Sequence, residues 1–528
     1  MKKLATLLIA AGLAFGVSTG ASAVDFKASG SWLMSFDYGK NGKFTGGNGL
    51  TGYGDGKQDE FEASQRVRLQ LDAAASEALS GTLYFEIGQT WWGQAKEGGA
   101  LGADGKTVKV RRAYIDWMPP ETGLKVRMGL QGLGLPNYTM GKSQVFEDDV
   151  AAVTLSWQFS DNVGLTAFWA RPYNDNYTDV YAKNANTGEQ HLLGTSRTAC
   201  FMDNIDMGGL ILPLTFDGFK ITPYAVLAGI GPNALATTGA NFTDNTSVEG
   251  LNGAAATSWR QTIAGMLPAW SAVGNDGKLI TEHFMKDKYA TAWWAGLGVD
   301  IDCWDPFRVA FDFAAGGISY GRSRMNRAGW GASLLFEYKM DWGIPGLYGW
   351  YYSGDNGDLG DGSERLPYLS LGNGDNGFSR YAFDGNPYIA REKAIGSSMA
   401  GTWGIGLRLR DVSFLDDLMH SFRINYIGGT NSQTAVKKMR RADFPVPANL
   451  GPNAGVDSMY LTRLDSALEF GFSTEYKMYE NFTAAFDASY IALHLDDSGK
   501  TWGHTPMNGA ARDVRDAWNL NVTFAYEF

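Results

Sequence analysis

Charged side chains at alternate positions of apolar segments are the residues of this chain best suited to act on ions and polar molecules. Arg66, Arg68, Arg112 and Arg127 each precede an apolar or small residue, and three acids, Glu147-Asp148-Asp149, follow one another after a glycine-containing stretch. Opposed charges on two sides of an aqueous passage create a field that orients water and dipolar solutes and sets ion preference. Such chemistry requires segments that hold the arginines on one wetted face.

The last thirteen residues show what those segments are. From Asp516 to Phe528, apolar residues alternate strictly with small or polar ones. Successive side chains of a β-strand point to opposite faces, so this segment has one apolar face and one polar face. The stretch Val24–Tyr38 repeats the pattern, and thirteen residues at about 3.3 Å each, tilted by ~45°, cover roughly 30 Å of height. Further alternating segments occur at 66–71, 124–128, 307–313, 405–410, 422–426 and 468–473.

The amino-terminal residues predict export. Met1-Lys2-Lys3 is basic, Leu4–Val17 is mostly apolar, and Ala21-Ser22-Ala23 is an A-x-A cleavage site, which together indicate a signal peptide over residues 1–23. No later segment has 18 consecutive apolar residues, so a spanning helix is not predicted. Lipid leaves the edges of an open sheet unsatisfied, so any membrane span must be a closed barrel. Residues 24–528 are predicted to form that single domain.

The connections between strands alternate between short and long. Turns such as Ala74–Ser80 and Ser413–Met419 are short, whereas Gly229–Ala290 and Ser353–Ala400 are the longest loops. This segregation is typical of outer-membrane barrels, whose periplasmic turns are short and whose extracellular loops are long. The sequence therefore predicts an all-β fold, a transmembrane antiparallel up-and-down β-barrel of about 18 strands, with 16 as the alternative.

Composition and cysteine content exclude several classes of protein. The formal charge is −11, and loss of Lys2 and Lys3 with the leader makes it −13, which argues against a nucleic-acid partner. The two cysteines, Cys200 and Cys303, do not make a disulfide scaffold, and we predict them at opposite ends of the barrel, unpaired. None of the five histidines has zinc or protease spacing, so no catalytic residue, zinc site or organic cofactor is predicted.

Taken together, the leader, the alternating strands, the loop pattern and the terminal aromatic resemble a Gram-negative outer-membrane trimeric porin along the whole mature chain. Three short runs are similar to the homotrimeric porin family of sulfate-reducing bacteria. They are R-R-A-Y-I-D-W-M-P (Arg111–Pro119), E-Y-K-M-D-W-G-I-P-G-L-Y-G-W-Y (Glu337–Tyr351) and the final T-F-A-Y-E-F. The runs cover only a small part of the chain.

This resemblance implies a homotrimer embedded in the lipid of the outer membrane. It also implies that the third long loop, here Gly132–Asp149, folds into the lumen and faces a basic wall. The expected pore constriction therefore consists of Glu147, Asp148 and Asp149 opposite Arg66, Arg68, Arg112 and Arg127. The terminal strand resembles an assembly signal that ends on Phe528.

The leading functional interpretation is a channel for passive diffusion of small hydrophilic solutes and ions. The alternative is a substrate-specific channel, for example for sugars, although Tyr84 and Tyr114 form no evident aromatic track. A barrel enzyme would need a histidine constellation, and every histidine falls in a loop or turn. A secreted β-sandwich adhesin is the remaining class. Oxygen-rich side chains in Asp355–Glu364 could hold Ca²⁺ at the cell surface, although their spacing misses the EF-hand rule.

Overall fold

We describe the chain from a computed structural model. It describes residues 24–40, 44, 61–95, 98–102, 108–174, 177–183, 190–197, 204–231, 265–269, 289–369, 371, 377–383, 395–396, 398–441, 460–498, 500–502 and 514–528, of which 40, 177–183, 190–197 and 439–441 are described by their backbone alone. The predicted signal peptide, residues 1–23, and Cys200 lie outside the described residues.

Nearly all the regular structure is β-strand. The strands are β1 (Asp25–Lys40), β2 (Phe61–Ser76), β3 (Leu79–Trp91), β4 (Val108–Trp117), β5 (Leu124–Gly134), β6 (Glu147–Gln158), β7 (Gly164–Asn174), β8 (Tyr177–Lys183), β9 (Gln190–Arg197), β10 (Asn204–Ile211), β11 (Leu214–Phe216), β12 (Phe219–Ile230), β13 (Ala290–Trp304), β14 (Phe307–Ser319), β15 (Arg327–Tyr338), β16 (Ile344–Tyr352), β17 (Thr402–Leu415), β18 (Leu418–Gly429), β19 (Ser466–Tyr479), β20 (Phe482–His494) and β21 (Ala517–Glu527). A 3₁₀ turn covers Ser323–Met325 and helix α1 covers Gln433–Arg441. Neither helical segment, among the residues described, has the length and apolar character needed to cross a membrane.

The strands close into one antiparallel barrel. Each long strand pairs with its neighbour in the chain, and β1 pairs with β21, with Ser31 opposite Glu527 and Lys40 opposite Trp518. The described residues thus give 18 barrel strands and one short extra strand, β11, which pairs with β12. Strands β8 and β9 form a separate hairpin between β7 and β10. The predicted all-β barrel of 18 strands is confirmed.

Alternation along each strand sorts the side chains between the two surfaces of the barrel. On β15, Leu334 and Phe336 point outward and are 39% and 46% exposed, whereas Ser333 and Glu337 point inward and are each 2% exposed. A strand places consecutive residues on opposite faces, so an alternating sequence gives an apolar outer surface and a polar lumen. That outer surface is what a lipid-spanning barrel needs.

Loop length differs between the two ends of the barrel, as predicted. The short connections are 77–78, 118–123, 159–163, 212–218, 305–306, 339–343, 416–417 and 480–481, and they all lie at the end where the chain enters β1. The connections at the other end are 41–60, 92–107, 135–146, 175–203, 231–289, 320–326, 353–401, 430–465 and 495–516, and all of them except 320–326 are longer than any connection at the first end. Cys303 lies at the short-turn end, where its thiol is exposed and free. We refer to 135–146 as loop 3 and to 353–401 as loop 7.

Candidate functional site

Loop 3 crosses the lumen and is fixed to the far wall. It leaves β5 and returns to β6, yet its tip contacts β14, which lies several strands away around the barrel. The carboxylate of Asp312 on β14 accepts the backbone N–H of Tyr138 at 2.9 Å and that of Thr139 at 2.7 Å. The inward course of the third long loop, which the resemblance implied, is confirmed by these contacts.

Three further contacts hold the tip of loop 3. The Tyr138 hydroxyl lies 2.8 Å from Oγ1 of Thr222 on β12, and the Thr139 hydroxyl lies 2.7 Å from Oγ of Ser333 on β15. Arg308 donates from Nη2 to the carbonyl oxygen of Tyr138 at 3.2 Å. The hydroxyl groups of Tyr138 and Thr139 and the backbone N–H and carbonyl groups of Tyr138 all have hydrogen-bond partners. The tip therefore has a defined position in the lumen.

Loop 7 folds inward from another part of the rim. The ring of Phe378 stacks on Tyr348 of β16, with centroids 4.2 Å apart and planes 11° apart. The carbonyl oxygen of Phe378 accepts the Tyr348 hydroxyl at 2.9 Å and Nδ2 of Asn425 on β18 at 2.7 Å. Arg380 then pairs with Asp487 of β20 at 3.0 Å. The segment 377–383 therefore lies against the lumen wall formed by β16–β20.

The two loops meet each other inside the barrel. The backbone N–H of Gly377 in loop 7 donates to the carbonyl oxygen of Met140 in loop 3 at 3.1 Å. Closer to the rim, the N–H of Leu369 donates to the carbonyl oxygen of Val145 at 3.0 Å. Loops 3 and 7 therefore form one continuous obstruction, and any open passage lies beside it.

The wall beneath these loops is apolar on its inner face as well as on its outer face. Ile205 on β10, Val226 on β12 and Trp294 on β13 point inward and are between 0% and 3% exposed. The indole Nε1 of Trp294 donates to the carbonyl oxygen of Pro367 in loop 7 at 2.8 Å. These strands therefore pack against loops and not against water.

A group of partly exposed charged residues lies on the opposite part of the wall, on β2–β5. Arg68 donates to Glu86 on β3 at 2.9 Å, and Arg111 on β4 reaches the same carboxylate oxygen at 3.3 Å. Arg66 lies two residues before Arg68, and its Nε has no hydrogen-bond partner in the part of the chain that is described. The side chains of Arg68 and Arg111 keep 26% and 27% of their surface exposed.

Arg127 belongs to a second cluster on the same wall. Its Nε and Nη2 donate to the two carboxylate oxygens of Asp116 at 2.7 and 2.8 Å, which is the bidentate geometry that makes arginine–carboxylate pairs strong. Lys125 shares that carboxylate at 3.0 Å. The guanidinium also lies 4.0 Å above the ring of Tyr114. Two cations therefore surround one acid, and the cluster keeps a net positive charge.

The three predicted acids are not part of loop 3. Strand β5 continues to Gly134 and β6 starts at Glu147, so Glu147, Asp148 and Asp149 are the first residues of β6. Glu147 accepts the backbone N–H of Ser143 at 2.9 Å, and Asp148 accepts that of Asp149 at 2.7 Å. The expected position in a loop was wrong because strand pairing with β5 extends further than the glycines of this segment suggested.

Asp149 is also in direct contact with the basic wall and does not face it across an opening. It accepts Nε of Arg112 at 2.6 Å and Nε and Nη2 of Arg111 at 2.9 and 2.6 Å. The ideal position of a Cβ on Gly132 would lie 2.7 Å from the Arg112 guanidinium, so a larger residue at 132 would displace that side chain. The structure thus brings Arg112 and Asp149 together as an ion pair.

Arg111 is a residue of this wall that strict alternation could not identify. Tyr84 on β3 pairs with Arg112, but the next residue, Phe85, pairs with Val110, so Arg111 is an extra residue on β4. A bulge of this kind turns two consecutive side chains towards the same face. The adjacent arginines in the sequence were the available signal, since one of them would otherwise have pointed into lipid.

The acidic residues of the predicted calcium loop make protein contacts. Oδ1 of Asp355 accepts the Ser363 hydroxyl at 2.5 Å, and its Oδ2 accepts the Tyr460 hydroxyl at 2.7 Å. Burial raises the pKa of the nearby Glu364 carboxyl. No group of three or more metal-ligating side chains occurs among the residues described. Calcium at Asp355–Glu364 stays a prediction, and the observed role of Asp355 is to tie loop 7 to the loop before β19.

Comparison with known proteins finds similarity in structure only. No family model matches the chain, and no curated protein matches it. Pseudomonas aeruginosa OccK11 (OpdR) is similar with a TM-score of 0.48 and 11% identity over 96% of each chain. P. aeruginosa OpdQ gives 0.47 and 9% over 96% of this chain and 99% of that one, and OpdK with vanillate gives 0.45 and 8% over 95% and 98%. These neighbours are outer-membrane porins, and the likeness is one of shape at low identity.

Proposed function

We propose that the chain forms a water-filled channel in the outer membrane of a Gram-negative cell, through which small hydrophilic solutes and ions diffuse passively. The observation that carries this proposal is a closed barrel of 18 strands whose lumen holds charged residues and two inward-folded loops. Barrels of 16–18 strands are wide enough to leave an aqueous channel. The loops then decide how much of that width remains open.

The outer surface supports a location in lipid. Ile405 and Leu407 on β17 are 52% and 56% exposed, and Phe422 and Ile424 on β18 are 47% and 38% exposed. A water-soluble protein rarely exposes contiguous apolar surface on this scale. A bilayer satisfies such a surface, and barrel closure leaves no strand edge unpaired in the hydrocarbon.

The passage follows the charged wall on β2–β5, because the opposite wall is covered by loops 3 and 7. We propose Arg66, Arg68, Arg112 and Arg127 as residues that set ion preference there, together with Glu147, Asp148 and Asp149 at the start of β6. On β2–β5, the six cations Arg66, Arg68, Arg111, Arg112, Lys125 and Arg127 outnumber the three carboxylates that pair with this group, Glu86, Asp116 and Asp149. Such a wall attracts anions at low salt.

A substrate-specific channel, for example for sugars, is the second candidate. Sugar channels guide the rings of their substrate along aromatic faces, and Tyr84 and Tyr114 are the inward aromatics of the charged wall. Arginine covers both, since Arg112 lies 5.6 Å from the Tyr84 ring centroid and Arg127 lies 4.0 Å from that of Tyr114. This occupation favours general diffusion. Block of the conductance by one sugar at low concentration would favour the specific channel instead.

Assembly is a separate part of the proposal. The resemblance of Arg111–Pro119, Glu337–Tyr351 and the terminal run to porins of sulfate-reducing bacteria supports a homotrimer. The same resemblance supports removal of residues 1–23 and a role for Phe528 in assembly. Migration of the unheated, detergent-extracted protein on gels tests the oligomer, because porin trimers resist detergent until they are heated.

Planar-bilayer recording tests the function directly. The purified chain should produce discrete, long-lived conductance steps and a reversal potential in a salt gradient that reports ion preference. A correctly folded barrel, judged by heat-modifiable migration on gels, that produces no conductance steps would overturn the proposal. A secreted adhesin would show neither property.

A further inference from the structure

Glu337 lies at the centre of a group of arginines at the short-turn end of the lumen. Its side chain, on β15, is fully buried. One carboxylate oxygen accepts Nη2 of Arg408 at 2.8 Å and Nε of Arg410 at 2.7 Å, both on β17. The other accepts Nη1 of Arg308 on β14 at 2.9 Å. Three guanidinium groups, one on the adjacent strand β14 and two on β17, which lies beyond β16, therefore share one buried carboxylate. Arg308 also donates from Nε to Asp300 on β13 at 2.8 Å.

Two of these arginines also hold the loops. Arg308 donates from Nη2 to the carbonyl oxygen of Tyr138 in loop 3 at 3.2 Å. Arg408 donates from Nη1 to the carbonyl oxygen of Gly377 in loop 7 at 3.1 Å. Each arginine thus uses one nitrogen of its planar guanidinium group for Glu337 and another nitrogen for a loop carbonyl, and the rigid fork fixes the two contacts relative to each other.

The contacts form a closed circuit. Loop 3 and loop 7 touch where the N–H of Gly377 donates to the carbonyl oxygen of Met140 at 3.1 Å. From Gly377 the circuit runs through Arg408 to Glu337, on through Arg308 to Tyr138, and back along loop 3 to Met140. Every link between the two loops is a hydrogen bond with a defined partner. A displacement of one loop tip therefore either moves the other tip with it or breaks at least one of these hydrogen bonds.

We propose that Glu337 is the positioning residue that couples loops 3 and 7, so that they narrow the lumen as one unit. This inference rests on the proposed function, because it assumes that the two loops bound a conducting passage. Asp312 fixes loop 3 and Glu469 fixes loop 7 separately, through backbone N–H groups of Thr139 and Tyr381. Glu337 differs from both of those acids because it acts through arginines that reach the two loops at once.

Replacement of Glu337 by glutamine tests this role. The change removes one negative charge and leaves Arg308, Arg408 and Arg410 without their common partner. Loop tips released together should produce brief transitions to other conductance levels, and the fraction of time spent there should rise roughly tenfold, as expected for the loss of about one charge-assisted hydrogen bond. The measurement is single-channel recording at constant voltage.

Asp72→Asn is the matched control. Asp72 also points into the lumen, on β2, and its carboxylate accepts only Thr82 at 2.6 Å and Gln70 at 2.9 Å among the contacts of the described chain. It makes the same change of charge without touching either loop. Asp72→Asn should therefore leave the transitions at the wild-type level. Equal transitions in both variants would show that charge alone is responsible and would overturn the proposal.

Two further variants cover the case in which Glu337→Gln does not fold. Arg408→Lys keeps the charge and leaves Glu337 with Arg308 and Arg410. It replaces the two fixed nitrogens that hold Glu337 and Gly377 by one ammonium nitrogen on a flexible stem, so it should raise the transitions as well. A disulfide between Met140→Cys and Gly377→Cys, with both native cysteines replaced by serine, should suppress them in either variant. The backbone hydrogen bond of 3.1 Å between Gly377 and Met140 places these two positions next to each other.

The outcomes separate the two proposals. A wild-type chain without conductance would end the proposed function. If the wild type conducts, and the Glu337→Gln and Arg408→Lys variants fold and show no more transitions than wild type, only the proposed coupling by Glu337 is overturned. Transitions that persist after oxidation of the engineered disulfide would place the moving element outside loops 3 and 7 and would also overturn the coupling.

Discussion

Arg112 and Asp149 are joined by a hydrogen bond of 2.6 Å between Nε and Oδ1, although they lie on β4 and β6 with β5 between them. The contact is made where β4 and β5 have stopped pairing, since their ladder ends at Ala113 and Leu130. The side chain of Arg112 passes over Gly132 and fills the space between the separated strands. Asp149 therefore partly neutralises the basic wall at the level where loop 3 leaves the barrel.

Neutralising this acid should change ion preference. In Asp149→Asn, Arg111 and Arg112 lose their carboxylate partner, so the wall becomes more positive and the reversal potential should shift towards anions. Neutralising Glu147, Asp148 and Asp149 together should shift it at least as far. Because the arginines are about a third exposed, the effect on stability should be only about 0–1 kcal/mol. Reversal potentials in a salt gradient measure the shift.

The salt dependence provides the control for this prediction. Screening shortens to about 3 Å at 1 M salt, so the shift should diminish there if it is electrostatic. Neutralising Arg66, Arg68, Arg112 and Arg127 should move the potential in the opposite direction, towards cations. If the triple acid variant keeps the wild-type conductance and selectivity, these acids lie outside the conducting path.

The position of loop 3 should depend on Asp312. In Asp312→Ala the backbone N–H groups of Tyr138 and Thr139 lose their acceptor in a buried place, at a cost of about 1–3 kcal/mol for each unsatisfied donor. The tip should then leave the wall, and the mean conductance should change. Asp312→Asn keeps one acceptor oxygen and should have a smaller effect. Single-channel conductance measures both variants.

Heat-modifiable migration must first show that the Asp312 variants are folded. An Asp312→Ala channel that is folded and has the wild-type conductance would mean that the tip of loop 3 does not bound the passage. The proposed route along β2–β5 would then have to be wider than the loop contacts indicate.

The barrel could be predicted because its rules are local. Alternation in β1 and β21 and the segregation of short and long connections follow from strand geometry and lipid, and they gave the correct strand number. The lumen was harder to predict because its contacts are between segments far apart in the chain. Asp312 and Tyr138 are 174 residues apart, and nothing in the spacing of either residue indicates the other.

Two features of the lumen depart from the expected alternation of inward polar and outward apolar residues. The bulge at Arg111 reverses the parity of β4 beyond it, so Arg111, which strict alternation with Arg112 would place on the outer face, lies in the lumen cluster. Inward residues such as Val226 and Trp294 are apolar because loops cover them, whereas an open lumen would favour polar residues. A signal for this was present in β12, where Tyr224–Ile230 is apolar or small at every position, as expected for a strand buried on both faces.

The terminal phenylalanine should matter for assembly. The backbone N–H and carbonyl of Phe528 pair with Gly30 at 3.1 and 2.8 Å, and its ring lies over that glycine. Phe528→Ala keeps the backbone pairing and removes the ring, so the finished barrel should tolerate it. If the ring is read during insertion, as in the barrels that the last strand resembles, the amount of folded protein in the outer membrane should fall.

Phe422→Ala is the comparison for that experiment. Phe422 is an outward ring on β18 with the same exposure as Phe528, 47%, but it lies far from the chain terminus. Its loss should leave the amount in the outer membrane near the wild-type level. Equal amounts of Phe528→Ala and wild type in the outer membrane would remove the assembly role.

Cys303 offers a test of orientation without a new reactive group. It lies near the end of β13 at the short-turn side, and it is exposed. Bacterial barrels place short turns in the periplasm, so a maleimide attached to a polymer too large for the channel should not reach this thiol in intact cells. In a Cys200→Ser background, labelling should appear only after the outer membrane is permeabilised. Labelling of Cys303 in intact cells would reverse the orientation and place loops 3 and 7 at the periplasmic side.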